Sequence, residues 1–222
     1  MSHYIEIPVE ASIRPVFIIY RVNRSKVSLG VEHMATKAAT RTLVNLADIP
    51  AFGTSKLASV LSLWQGDITS LKVQCIVNDV NSDFSKPKGV TNVINKYGGH
   101  GSAVIGSGFA LPCDYVIHAA SPNVSYKHYR PTEEEERLLK DCYTAVMNLC
   151  MSKDIHSIAF PCLATRAHRY PIEDASKVEV RTIVQILKEH DYPFERVILC
   201  THKDSDTEVM KKALEECLKE ME

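Results

Sequence analysis

The sequence has 222 residues, a formal net charge of −1, 45% apolar residues and 24% charged residues. This balance is too apolar and too close to neutral for a disordered chain, and it argues against bulk electrostatic binding of nucleic acid. No apolar run approaches the roughly 18–20 residues that span a bilayer, so we expect no membrane partner.

The first sixty residues differ in pattern from the rest of the chain. Arg14–Val22 is rich in β-branched and aromatic residues and predicts one strand. Weak periodicity over His33–Leu46 predicts a helix, and a proline and a glycine within residues 48–53 then break the chain. We interpret residues 1–60 as an N-terminal extension that lies across a domain of residues 61–222, or equally as a tether for a protein partner in an assembly.

From the end of the extension onward, short apolar runs alternate with helical patterns. The apolar runs predict five strands: Val60–Trp64, Cys75–Val80, Tyr115–Ala119, Ser157–Phe160 and Arg196–Thr201. The helical patterns predict four helices: Val90–Tyr97, Thr132–Lys153, Ile172–Glu189 and Ser205–Glu222, the last with Ser205 and Glu208 at capping-box spacing. This alternation predicts an α/β sheet with helices on both faces. Ligands of such sheets bind outside the carboxyl ends of the strands, so the residues that follow each strand are the candidates for a site.

The seven cysteines are scattered along the chain, and none forms a C-x-x-C pair. We therefore expect buried thiols in a reducing compartment, with no metal site and no cofactor. The first ten residues lack the basic and apolar regions of a secretory signal. The default expectation is a cytoplasmic, or cytoskeletal, location.

Four motifs follow the predicted strands in a fixed order. They are Gly66-Asp67-Ile68-Thr69, the stretch VNDVNSDFSKPKGVTNVIN over Val77–Asn95, Ile117-His118 with Ser121-Pro122, and Phe160-Pro161 with Tyr170-Pro171. This succession, over about residues 61–201, resembles the macro domain family, the module that binds ADP-ribose. It is similar to the subclass that hydrolyses mono-ADP-ribose and O-acetyl-ADP-ribose, and in part to the macro domain of ganglioside-induced differentiation-associated protein. The resemblance implies a three-layer α/β/α sandwich with a mixed, mostly parallel sheet.

The resemblance also assigns ligand-binding residues. It implies that Asp67 accepts a hydrogen bond from the adenine amino group and that Asn81 contacts the distal ribose. The alternative for Asp67 is an Asx-turn or a helix cap, and for Asn81 a turn residue. The ligand-binding residues implied are Asp67, Ile68, Asn81, Gly89, Val90, Thr165, Arg166 and His168.

Both phosphate loops depart from the family's glycine-rich pattern. Residues 86–88 read Lys-Pro-Lys, and the proline has no N–H to offer a phosphate. In the second loop Arg166 and Arg169 stand at glycine positions, and His168 stands where the family has an aromatic residue near the distal ribose. Arginines clamp phosphates in bidentate fashion, but they equally fill an empty pocket or bind a protein partner.

The residue that corresponds to the subclass's catalytic aspartate is Thr91. A hydroxyl is not a general base near pH 7 unless another base activates it. Asp79 and Asp83 are nearby carboxylates that could substitute.

Three functions fit these residues. The main interpretation is a degenerate, catalytically inactive macro domain that retains at most weak recognition of ADP-ribose or an ADP-ribosylated protein. The first alternative is a structural or protein-interaction subunit with a closed pocket. The second alternative is an active ADP-ribosyl or O-acetyl-ADP-ribose hydrolase.

Overall fold

Eight strands and three α-helices are present in the part of the chain that the structure describes. The structure is a computed structural model and describes residues 42–80, 99–124 and 130–221. The strands are Val44–Asn45 (β1), Leu61–Gln65 (β2), Leu71–Lys72 (β3), Cys75–Asp79 (β4), Ala103–Ser107 (β5), Tyr115–Ala119 (β6), Ser157–Pro161 (β7) and Arg196–Thr201 (β8). The helices are Glu133–Ser152 (α1), Ile172–Glu189 (α2) and Asp204–Met221 (α3).

Six strands form one sheet in the order β2-β8-β7-β4-β6-β5, and β1 pairs with β3 in a separate two-stranded ribbon. Neighbouring strands of the main sheet run parallel except β5, which pairs antiparallel with β6 and places Ile105 opposite Ile117. β4 is hydrogen bonded to β6 on one side and to β7 on the other. The five parallel strands therefore end at one edge, which brings the loops after them close together.

The first helix forms where capping residues and apolar spacing coincide. α1 begins with a capping box, in which the Thr132 hydroxyl accepts the Glu135 N–H at 3.2 Å and the Glu135 carboxylate accepts the Thr132 N–H at 2.7 Å. α1 connects β6 to β7 and α2 connects β7 to β8, as crossovers between parallel strands require. α2 packs against both α1 and α3.

The sheet buries apolar side chains on both faces. On one face Phe160 packs with Tyr143 of α1 and Ile183 of α2. On the other face Ile198 packs with Ile49 and with the residues around β1 and β3. Side chains alternate along each strand, so one sheet supplies both clusters. The expected mixed, mostly parallel sheet flanked by helices is confirmed. Within the described ranges, no helix has the length and apolarity to cross a membrane.

Residues 42–60 lie against this sheet. Ile49 is buried, and its carbonyl accepts a hydrogen bond of 2.6 Å from Arg196 of β8. The Phe52 N–H donates to the Leu61 carbonyl at 2.7 Å. The division of the chain at residue 60 stays a prediction, and the predicted strand Arg14–Val22 lies outside the described residues.

In the regions that can be compared, one strand of the main sheet was missed and one element prediction is wrong. The strand β5 was not expected, because its glycine-containing sequence has a weak strand pattern; antiparallel pairing with β6 forms it. The last residues of the predicted helix His33–Leu46 instead form β1 and the start of a 3-10 helix, Leu46–Asp48. The predicted helix Val90–Tyr97 lies outside the described residues.

The start of the last helix also differs from the expectation. α3 begins at Asp204, and the Thr207 N–H donates to the Lys203 carbonyl at 3.0 Å. The Ser205 hydroxyl donates to Asp206 at 3.1 Å rather than capping the helix. The capping box proposed for Ser205 and Glu208 is therefore wrong, because the helix starts one residue earlier than its sequence pattern indicates.

Candidate active site

A cleft lies beyond the carboxyl ends of the parallel strands. Its outer part has a volume of about 560 Å³ and is formed by the loop after β7, the start of α2 and the start of α3. A narrower part of about 70 Å³ shares most of these residues and reaches the end of β4 at Asp79. The described residues that line the outer part are Thr165, Arg166, Ile172, His202, Lys203 and Asp206.

The loop between β7 and α2 keeps an open shape without glycine. Ala164 and Arg169 have φ angles of 65° and 61°, a left-handed conformation that glycine adopts most easily. The Tyr170 N–H donates to the Ala164 carbonyl at 3.0 Å, and the Val124 N–H donates to the His168 carbonyl at 2.9 Å. These hydrogen bonds hold the loop in its shape, so arginine at the family's glycine positions does not close the cleft.

Asp79 is the centre of a hydrogen-bond network beneath this loop. Its Oδ1 accepts the Ser121 hydroxyl at 2.6 Å, and its Oδ2 accepts the Ala164 N–H at 2.9 Å. The Ser121 oxygen lies 2.7 Å from Nδ1 of His168, which itself lies 3.8 Å from Asp79 Oδ2. Three segments that are distant in the sequence therefore meet at one carboxyl group.

Burial controls the ionisation of both titratable groups in the network. It raises the pKa of Asp79, while hydrogen bonds from Ser121 and Ala164 and the charge of His168 partly oppose that rise. Burial also lowers the pKa of His168. The Ser121 hydroxyl has one proton, and an ionised Asp79 can only accept. When Asp79 is ionised, Nδ1 of His168 therefore carries the hydrogen that is donated to Ser121.

A second buried carboxyl group, Glu179 of α2, lies behind the same loop. It is fully buried, and neither of its oxygens has a hydrogen bond of good geometry. Burial raises its pKa to about 8, and the nearby Cys162 thiol and Tyr143 hydroxyl only partly oppose this effect. The Tyr143 hydroxyl also accepts the Leu163 N–H at 3.0 Å, which connects the loop to α1.

Asp67 follows β2, the neighbour of β8, and so lies at the same sheet edge as the cleft. It is the N-cap of a 3-10 helix, Ile68–Ser70, and its Oδ1 accepts the Thr69 N–H at 2.9 Å and the Thr69 hydroxyl at 2.6 Å. Asp67 therefore has the helix-capping role that was the alternative to binding adenine. Contacts of Asp67 and Ile68 with a nucleotide stay predictions.

The structure brings together only some of the residues predicted to bind a ligand. Thr165 and Arg166 line the cleft, whereas His168 is only 1% exposed and takes part in the network beneath it. A direct contact between His168 and a ligand stays a prediction. Asn81, Gly89 and Val90 lie outside the described residues, as does the Lys-Pro-Lys stretch at 86–88.

Sequence reasoning missed three residues of the cleft. His202, Lys203 and Asp206 line it, and they follow the carboxyl end of β8. Ligands of α/β sheets bind outside the carboxyl ends of the strands. The position of these three residues directly after β8 could therefore have identified them as site candidates. The contact between Ser121 and Asp79 was also missed, because no sequence pattern around either residue predicts it.

All seven cysteines are free thiols, and five of them are buried. Burial raises the pKa of Cys162 well above its ordinary value, which leaves this cleft thiol protonated and a poor nucleophile. Within the ranges 42–80, 99–124 and 130–221, no group of three or more side chains is arranged to hold a metal ion.

Comparison with known proteins identifies the fold and its relatives. The family model for the macro domain matches residues 99–179. A macro domain-containing protein of Chlorobaculum tepidum is 31% identical over 164 residues, which cover 68% of this chain and 92% of that protein. The chain belongs to the macro domain family. An ADP-ribose glycohydrolase, MACROD2 of Xenopus laevis, is 32% identical over 176 residues, but the match covers 73% of this macro domain chain and only 41% of the glycohydrolase.

A solved structure gives the same assignment. The macro domain of ganglioside induced differentiation associated protein 2 superposes with a TM-score of 0.66 at 25% identity, over 78% of this chain and 95% of that one. The resemblance to the macro domain family that was read from the four motifs is therefore confirmed.

The interpretation as a degenerate, inactive macro domain is wrong. A relative that is 32% identical is named as an ADP-ribose glycohydrolase, which agrees with the second alternative, an active hydrolase. The physical reason is that missing glycines were taken to mean a closed or damaged pocket. The loop after β7 reaches left-handed backbone angles without glycine, and a cleft of about 560 Å³ remains beside it.

Proposed function

We propose that this macro domain hydrolyses the bond between ADP-ribose and a modified protein, or the ester of O-acetyl-ADP-ribose. The observation that carries this proposal is the open cleft at the carboxyl edge of the sheet, with basic side chains in its outer part and the partly buried carboxyl group of Asp79 in its narrow part. The family relationship to a named ADP-ribose glycohydrolase supports the reaction class.

The charges around the cleft suit a pyrophosphate. Arg166 and Lys203 supply two cations, and the guanidinium group can bind two phosphate oxygens at once. The first turns of α2 and α3 also begin here, at Ile172 and Asp204. Helix N-termini present backbone N–H groups and the positive end of the helix dipole, which favour an anionic ligand.

The direct test is release of ADP-ribose from a mono-ADP-ribosylated protein by the full chain, with O-acetyl-ADP-ribose as a second substrate. Turnover of either substrate supports the proposal. Absence of product above the uncatalysed background for both substrates contradicts it.

Two variants test whether ADP-ribose binds in the cleft or elsewhere on the surface. Arg166→Ala should weaken ADP-ribose binding about tenfold, which corresponds to roughly 1.4 kcal/mol, because one charged phosphate contact is lost. Arg181→Ala is the matched control, since Arg181 is an exposed arginine of α2 that pairs with Glu220 at 3.1 Å. Isothermal titration calorimetry measures both affinities, and equal affinities for the two variants would place the ligand elsewhere.

A further inference from the structure

The carboxyl group of Asp79 is the group in the described part of the cleft that is best placed to accept a proton. Its side chain is 21% exposed, and it lines the narrow end of the cleft. Asp206, the other carboxylate lining the cleft, lies in the first turn of α3 and lines both the outer and the narrow part of the cleft. It accepts a hydrogen bond from the neighbouring Ser205, whereas Asp79 is held by two segments distant in the sequence. Hydrolysis requires that water lose a proton as it attacks, so a positioned carboxylate in the narrow part of a cleft is chemically suited to that step.

We propose that Asp79 is the general base of the reaction and that Ser121 and His168 are the positioning residues that hold it. This inference rests on the proposed hydrolase function and adds the residue that activates water. Each Asp79 oxygen accepts one hydrogen bond from the described residues, whereas an ionised carboxylate has about four acceptor sites. The remaining sites can accept a hydrogen bond from a water molecule in the cleft.

The atoms and charges of the step balance for an ADP-ribose ester of a protein carboxylate. The water oxygen forms a bond to the anomeric carbon of the distal ribose, and the bond from that carbon to the ester oxygen breaks. The leaving carboxylate keeps the electron pair and needs no proton. The water proton passes to Asp79 and then to solvent, which regenerates the base.

Burial makes the Asp79 carboxylate a stronger base than an exposed aspartate. Burial raises its pKa toward the working range, and a base is most effective when its pKa lies near the operating pH. The groups that face it are His168 on the loop after β7, with His100 acting on His168, and the buried Cys142 thiol of α1. Arg166, His202 and Asp206 line the same narrow cleft.

The first test is the turnover number of Asp79→Asn at saturating substrate. General base catalysis contributes about 100-fold or more, so the variant should lose at least that factor. Asp191→Asn, which changes an exposed aspartate beyond the end of α2, is the matched control. A loss smaller than tenfold overturns the role of Asp79. Absence of turnover by the unmodified chain refutes the proposed function itself, and the role of Asp79 falls with it.

The second test remains decisive if Asp79→Asn does not fold. The turnover number of the unmodified chain should fall at acid pH as Asp79 takes up a proton. Ser121→Ala removes a hydrogen bond that lowers the pKa of Asp79, so the acid limb should move to higher pH by about half a unit or more. His168→Asn removes a side chain that, when protonated at acid pH, also lowers this pKa, and it should move the limb in the same direction. A limb that stays at the same pH in both variants overturns the proposal, because a purely structural role would lower activity without moving the limb.

Discussion

Glu179 makes the stability of this protein depend on pH in an unusual direction. Burial raises the pKa of its carboxyl group from the ordinary value of 4.5 to about 8. Between those two values the folded chain holds a proton that the unfolded chain releases. Folding stability contributed by the protonated group is therefore complete below pH 4.5 and is lost as the pH rises toward 8.

The size of this effect follows from the shift. Each pKa unit corresponds to about 1.4 kcal/mol, so the free energy of unfolding should fall by about 5 kcal/mol across the whole range and by about 3 kcal/mol between pH 4.5 and 7. Glu179→Gln keeps the shape of the protonated side chain and cannot ionise. Relative to this variant, the unmodified chain should lose about 1.4 kcal/mol for each pH unit between 5 and 8.

Urea denaturation at several pH values measures this slope. Any constant difference between a glutamine amide and a protonated carboxyl group cancels in the comparison, because only the pH dependence is read. Glu189→Gln is the control, since Glu189 is an exposed glutamate at the end of the same helix, and its curve should run parallel to that of the unmodified chain. If the Glu179→Gln curve also runs parallel, Glu179 is ionised in the folded protein and the reasoning is refuted.

Three further substitutions test the scaffold around the site. Thr132→Ala removes the capping box of α1 and should cost about 1 kcal/mol, seen as a lower melting temperature; an unchanged value would mean that the cap contributes nothing. Tyr143→Phe leaves the buried Leu163 N–H without its acceptor and should cost about 1–3 kcal/mol in urea denaturation, whereas a smaller loss would show that water replaces the hydroxyl. Gly108→Ala places a Cβ 1.9 Å from the Cys113 carbonyl oxygen and should destabilise the β5–β6 hairpin by more than about 3 kcal/mol; a soluble variant with unchanged stability would contradict that backbone approach.

The main elements could be predicted from sequence because their signals are local. The bounds predicted for α2 match those of the structure, Ile172–Glu189, since a proline precedes the helix and its apolar spacing is regular. The strands β6 and β8 also match, as buried runs of apolar residues between polar ones. β5 could not be found in this way, because its strand conformation depends on pairing with β6 rather than on its own residues.

The site was harder to predict because its contacts are not local. The Asp79 network joins residues that are 42 and 85 positions apart, and no spacing rule relates them. The backbone of the loop after β7 was also misjudged, since the sequence shows that glycine is missing but not that hydrogen bonds hold Ala164 and Arg169 in left-handed conformations. The cleft is therefore a product of the assembled fold.

The position of β4 between β6 and β7 has a consequence for how this protein becomes functional. The segment matched by the family model, residues 99–179, contains both flanking strands but not the strand that joins them, and Asp79 is the last residue of that strand. A chain fragment of this kind, or an intermediate in which β4 has not yet inserted, has a gap in the sheet and lacks the Asp79 carboxyl group in the cleft. Pairing of distant strands is slow relative to local helix formation. We therefore expect the chain to become able to carry out the proposed reaction only in the folding step that completes the sheet. Incompletely folded molecules would then expose the loop after β7 without the carboxyl group that we propose as the base.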